Sequence, residues 1–239
     1  MIRFANSFFA LLLFASAAVS APFAHEQLLF VTTADMNAST GTMQRYELHN
    51  GTWKKVGKKI AVNVGRNGLG WGRGILEVPH NNDAPVKHEG DGRAPAGIFA
   101  LGPVFGYAPS VDTGMPYLQA TPDLVCVDDS RSVAYNQILP ARPSTAFGSF
   151  EWMKREDGLY RFGVVVRHNE TAVPGEGSCI FLHIEKAPGS GTSGCTSMRV
   201  SALQTVIRWL EPSKNPLLVQ VPAASLPAVT ELLELPTTP

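Results

Sequence analysis

Beyond its first two dozen residues the chain has no apolar run approaching the ~20 residues that a bilayer-spanning helix needs. An excess of either charge is also missing, since Lys and Arg together number 20 and Asp and Glu together number 20. That balance leaves no basic footprint for nucleic acid and no patch for an anionic membrane. Internal repeats and low-complexity tracts do not occur. Long helical patterns are few, while 22 Gly and 18 Pro point to a turn-rich, mainly β protein. Cysteine is scarce as well: there are three, an odd number.

The first stretch is different. Arg3 precedes an apolar run at 8–15 (FFALLLFA), and small residues follow in ASAAVSA. This is the layout of a secretory signal peptide, expected at 1–24 with cleavage between residues 20 and 24. A retained anchor is disfavoured because the apolar run is too short to span. The mature chain is therefore expected to be exported, to periplasm or cell wall, without a membrane span. Its length suits one domain, placed at 25–222, with a tail at 223–239.

Strand signals recur along that domain. QLLFVTT (27–33) is the first, and MQRYELHNGTWKKV reads as a hairpin with Asn50 and Gly51 in a type I′ turn. IAVNVG (60–65) reads as a separate strand entering the Gly-rich loop GRNGLGWGRG. That loop lacks the GK[ST] of a P-loop and the GxGxxG spacing of a dinucleotide site, so it is read as a mobile or tightly turned loop. The run DMNASTGTMQRYE fails as a calcium loop, with its Gly one position late and Tyr46 where a Glu is required. KHEGDGRAPAGIFALG (87–102) looks like an ordered turn feeding a strand, and YRFGVVVRHN, CIFLHI and PLLVQVP are further strands. One short helix is expected at 201–210, with Ser201 and Gln204 as a capping box and Pro212 as the stop. The fold class that results is a mainly β sandwich with one short helix.

The cysteines differ in setting. Cys126 and Cys179 lie in apolar, strand-like runs, and either a disulfide between them or two buried thiols explains both. Cys195 sits instead among small residues, in GTSGCTSM. Twelve residues before it, His183 ends a strand. An imidazole brought beside a thiol raises its thiolate fraction and can later protonate a leaving amine. Glycines in the intervening loop let backbone N–H groups face a substrate carbonyl. A metal site is disfavoured because neither residue has a CxxC or HxxxH companion. A structural histidine remains the commoner fate of a lone His.

The stretch SCIFLHIEKAPGSGTSGCTSM resembles the active-site segment of the L,D-transpeptidase (YkuD-type) family. The resemblance continues through KHEGDGRAPAGIF, CVDDSRSVAYNQI and REDGLYRFGVVVRHN, and so spans roughly 60–222. It implies a YkuD-like β-sandwich acting on peptidoglycan tetrapeptide stems, with Cys195 as nucleophile and His183 as general base and acid. The carbonyl of Ile184 would orient that histidine, and backbone N–H groups of Ser193, Gly194 and Cys195 would hold the oxyanion. Attack at the carbonyl between meso-diaminopimelate and terminal D-Ala releases D-Ala. An amine acceptor then gives a 3→3 cross-link or an exchanged terminal D-amino acid, while water gives a tripeptide, the product of an L,D-carboxypeptidase. The resemblance implies no metal or organic cofactor, and the expected form is a monomer. Ser193 stands where a His is frequent, and Ser197 where an Arg is frequent, with Arg199 the nearest basic residue. Arg199, His168, Tyr135 and Asn136 are expected to line the cleft, although a turn role suits Tyr135 and Asn136 equally. A rival from another class is a wall-binding relative without activity, against which the intact His183 and Cys195 pair argues.

Overall fold

The computed structural model describes residues 25–141 and 147–235, so the expected leader at 1–24 lies outside the described residues. Strand β1 (Gln27–Thr33) is buried on both faces and paired on both edges. It runs antiparallel to β2 (Thr40–His49), which turns into β3 (Thr52–Asn63). At that turn Asn50 and Gly51 have φ of 49° and 73°, the two left-handed conformations a type I′ turn requires. The strand expected to start at residue 60 is the far end of β3. A bulge interrupts the ladder where the register shifts between Met43 and Arg45, and Gly57 takes a φ of 66° opposite it.

The Gly-rich segment is partly sheet, because β4 (Leu69–Trp71) runs parallel to β5 (Ala94–Gly106). Next come β6 (Tyr117–Gln119), β7 (Leu124–Cys126), β8 (Ile138–Pro140) and β9 (Glu151–Trp152). Strands β10 (Phe162–Val166), β11 (Phe181–Ile184) and β12 (Thr196–Met198) lead to helix α1 (Val200–Trp209). Strand β13 (Leu217–Pro222) and helix α2 (Leu226–Leu232) follow.

The main sheet runs in the order β10-β11-β12-β3-β2-β1-β13-β5-β4, and β5 also pairs with β10. Strand β5 closes the ring by serving two partners end to end: residues 97–100 pair with β13 and 101–106 with β10. The sandwich-like body is thus a barrel-like sheet whose packed core includes Leu28, Leu29, Val31, Ile98, Val164, Leu182 and Val219, all fully or nearly fully buried. A second, smaller sheet, β8-β7-β9, lies outside it. Between the two is a separate apolar cluster that contains Phe105, Leu124, Met153, Tyr160, Phe181 and all three cysteines.

Two expectations about helices need correction. Helix α1 begins one residue before Ser201, with Arg199 at the N-cap and no side-chain cap, so the capping box does not form. The helix is held instead by Leu203, Val206 and Ile207, which bury one face. The tail contributes a second helix, α2, tied down by buried Val229 and by Trp53 Nε1, which donates to Leu233 O at 3.3 Å. Among the described residues no helix is long and apolar enough to cross a membrane.

Candidate active site

Cys195 immediately precedes β12, and the β11/β12 ladder is parallel, pairing Leu182 with Thr196 and His183 with Ser197. That register puts Cys195 alongside Phe181, whose N–H donates to Sγ at 3.3 Å. The thiol faces the carbonyl of Cys179 at 3.5 Å. Thr192 braces the loop just ahead: its hydroxyl donates to Cys195 O at 2.6 Å and accepts from Gly194 N–H at 3.1 Å.

The loop hangs on the end of β3 and the residues after it. Thr192 N–H donates to Val64 O, and Arg66 N–H donates to Thr192 O, each at 2.8 Å. Asn63 is the hub: its amide reaches Glu185 Oε2 at 3.0 Å and Ala187 O at 3.2 Å, and its Oδ1 accepts from Gly189 N–H at 2.9 Å. The closeness explains one glycine, since a Cβ on Gly191 would stand 2.5 Å from Arg66 Cα. The Gly-rich segment is therefore a fixed wall behind the Cys195 loop.

His183 is buried, and its Nδ1 lies 2.8 Å from Ile184 O. A carbonyl only accepts, so Nδ1 carries the proton and neutral Nε2 is left with a lone pair. Burial pulls His183 down to about 4, against the Ile184 bond, and the Arg155 charge adds to the fall. Burial pushes the Cys195 thiol up to about 12, and Glu151 adds to that; the Phe181 N–H and the Tyr160 hydroxyl pull it back. At rest both groups are thus neutral, one a thiol and the other an imidazole.

Tyr160 stands among these groups. Its ring meets His183 edge-on at 5.2 Å and Phe181 at 5.5 Å, and its hydroxyl donates to Glu151 Oε2 at 2.7 Å. Burial pushes the Glu151 carboxyl up, and the Tyr160 bond opposes it.

Cys195, Ser193 and Gly194 line a cavity of about 270 Å³ with two cations, Arg66 and Lys87, and three carboxylates, Glu89, Asp128 and Glu151. Lys87 is 3% exposed and reaches Asp91 Oδ1 and His88 O, each at 2.6 Å. Arg66 donates to Ser193 Oγ at 3.2 Å, so the side chain at the unusual Ser193 position holds a cation at the rim. A larger cavity of about 830 Å³ lies between the β1/β2 face and α2, lined by Phe30, Tyr46, Leu226 and Leu235 among others. Among the described residues neither a cysteine nor a histidine lines it.

The four residues expected along the cleft stand elsewhere. Arg199 is exposed and 3.8 Å from Glu185 Oε1, at the start of α1. His168 is 2% exposed; its Nε2 lies 3.0 Å from Glu176 O and its ring packs on Phe99. Burial pulls His168 down to about 3, and the Lys87 charge adds to that. Tyr135 donates from behind the cavity to Glu89. Asn136 donates to the carbonyls of His168 and Asn169, each at 2.9 Å, and its Oδ1 accepts Cys179 N–H. Of the three expected oxyanion donors, Gly194 N–H is already engaged with Thr192. The sequence reading missed Asn63, Arg66, Lys87, Glu151 and Tyr160. Arg66 lay in a segment noted only for its glycines, Lys87 and Tyr160 lay in segments that carry the resemblance without being singled out, and no local pattern marks Asn63 or Glu151.

Cys126 and Cys179 form a disulfide with a Cα–Cα distance of 5.9 Å, and Cys195 is free. Among the described residues no group of three or more His, Cys, Asp or Glu is arranged to hold a metal.

No family model and no curated protein matches the chain. Among solved structures it is similar to Bd1075 of Bdellovibrio bacteriovorus, at 11% identity and a TM-score of 0.41, over 88% of this chain and 56% of that one. The chain thus spans little more than half the length of that protein, and a likeness this slight leaves family and activity to be argued from the site.

Proposed function

We propose that the protein is an exported cysteine L,D-transpeptidase that acts on peptidoglycan tetrapeptide stems through a Cys195 thioester. The observation that carries the proposal is a buried free thiol receiving the N–H of Phe181, with His183 two residues after that donor in β11 and fixed on its own neighbour's carbonyl. The mixed charge of the cavity supports the substrate class. Meso-diaminopimelate brings carboxylate and ammonium groups together, and Arg66 and Lys87 suit the former as Glu151 and Asp128 suit the latter.

In the first step the Sγ proton passes to His183 Nε2 as sulfur bonds to the carbonyl carbon. The oxyanion is met by the backbone N–H groups of Ser193 and Cys195, the Gly194 N–H being held by Thr192. Collapse breaks the C–N bond, and the departing D-Ala nitrogen takes the proton from His183. An amine acceptor then attacks the thioester, gives its proton to His183 and frees Cys195. Water in place of the amine trims the stem to a tripeptide.

The test is incubation of the full chain, and of Cys195→Ala, with disaccharide tetrapeptide, the products being read by mass spectrometry. Dimer or D-amino-acid exchange supports transfer, and tripeptide alone assigns trimming. Equal inertness of the two proteins would overturn the enzymatic reading.

A further inference from the structure

The disulfide lies against the nucleophile. Cys126 ends β7 in the small sheet, and Cys179 stands two residues ahead of β11 in the barrel. Cys179 has a φ of 55°, left-handed backbone that a side chain bearing a Cβ rarely adopts. Such a conformation persists only where the surroundings over-determine it. Here they do so twice: the sulfur is bonded to Cys126, and the N–H donates to Asn136 Oδ1 at 2.9 Å. The same short segment then supplies both groups that touch the thiol, Cys179 O at 3.5 Å and Phe181 N–H at 3.3 Å. No other hydrogen-bonded backbone contact to Sγ occurs among the described residues.

We propose that the Cys126–Cys179 disulfide is a positioning element for Cys195, fixing the 179–181 backbone so that the Phe181 N–H meets the sulfur, and that opening it disarms the nucleophile. The proposal rests on the reading of Cys195 as the reacting thiol. The molecule then needs one oxidised pair and one reduced thiol within a single apolar cluster. A dithiol reductant has the opposite of its usual effect on a cysteine enzyme. It delivers two electrons and two protons to the S–S bond, leaves thiols at Cys126 and Cys179, and itself becomes a cyclic disulfide. Cys179, freed from its tether, relaxes to negative φ and carries the Phe181 N–H away from Cys195, whose thiolate loses its donor.

The experiment uses the full chain in three forms: wild type, Cys126→Ala/Cys179→Ala, and wild type reduced with dithiothreitol and then reoxidised. Leu218→Ala, a core change in β13, serves as a control for lost stability alone. Two rates are followed below each protein's melting temperature: alkylation of Cys195 by iodoacetamide at pH 8, resolved by peptide, and turnover of disaccharide tetrapeptide. A charge-assisted hydrogen bond to a thiolate is worth at least about a tenfold change in thiolate population. Opening the disulfide is therefore expected to slow alkylation about tenfold and to lower kcat by a similar factor, with KM changed less than about threefold on the same reasoning. Reoxidation restores both rates, and Leu218→Ala changes neither. Unchanged alkylation overturns the proposal. So does faster alkylation, because a merely structural bond, once lost, loosens the cover over the thiol or unfolds it. If wild type itself fails to turn over tetrapeptide, the proposed activity falls, and the alkylation comparison still decides the role of the disulfide.

Discussion

Around β1 and β13 the molecule is held by apolar residues paired strand to strand, with Leu28 opposite Leu217, Leu29 opposite Leu218 and Phe30 opposite Val219. Around Cys195 it is held by side chains that bond to backbone. Asn63 gathers the 185–197 segment, Thr192 braces the turn, and Asn136 grips both Cys179 and the end of β10. Burial in the first region removes carbon from water, at about 25 cal/mol per Å². Burial in the second also takes in His168, His183 and Lys87, which cost free energy unless they are neutral or bonded. One region is stable because it is apolar. The other is ordered because its polar groups have partners, and it keeps a thiol and an imidazole out of water at the expense of stability in acid.

The sharpest separation comes from the sulfur itself. Cys195→Ala is expected to lower tetrapeptide turnover at least ~10³-fold, on the order of 4 kcal/mol in barrier, and to leave the melting temperature almost unmoved. Acid should strike the polar region first. Unfolded histidine titrates near 6.5, whereas the folded chain holds His183 neutral down to about 4 and His168 down to about 3. Between those values the unfolded chain binds more protons, so the stability that is full above pH 6.5 falls as the pH is lowered. Each histidine withdraws on the order of 3 kcal/mol by pH 4, and melting curves between pH 7 and 4 will show it. A flat profile over that range would mean that these imidazoles are not buried neutral.

The apolar region answers to size. Leu29→Ala in β1 should cost about 2–5 kcal/mol, read as a lowered denaturation midpoint, while the specific activity of the folded fraction stays within about twofold because the cavity is untouched. Asn63→Ala inverts that pattern. It should cost only about 1–3 kcal/mol of stability yet lower kcat more than about tenfold, since a slackened loop misplaces the nucleophile. Tyr160→Phe should have the smallest effect, a few-fold loss of kcat on the scale of one hydrogen bond. Its signature is at Glu151: without the hydroxyl that carboxyl loses the bond opposing the upward push of burial, and its pKa, followed by NMR titration, rises further.

Much of the apolar region was legible in the sequence, because its signals are local. QLLFVTT is β1 to the residue, and Asn50-Gly51 makes the turn it advertises. Errors arose where a glycine served tertiary structure. The separate strand expected from residue 60 is the far end of one long strand that bulges at Gly57, and the 65–74 stretch, expected as a mobile or tightly turned loop, contains β4. Helix α2 has too short an apolar pattern to stand out, and depends on contacts such as Trp53 for its place. Cys195, His183 and Ile184 could be singled out because they lie close together on adjoining strands and carry a resemblance. Arg66, Lys87, Glu151 and Tyr160 come from four different segments and meet only when the barrel and the small sheet dock. Arg199 looked suitable by sequence distance, but the start of α1 carries it to the surface.

The closure of the ring also bears on the order of folding. Strand β1 lies between β2 and β13, so the first strand of the sheet waits for the last to be made and brought back beside it: Leu28 needs Leu217. Hairpin β2/β3 can form early from local contacts alone. The parallel β1/β13 seam must close a loop of nearly the whole domain before it gains anything, and such pairings are slow. A nascent or partly threaded chain therefore has no completed barrel to fall into, and stays extended for longer than its stability alone would suggest.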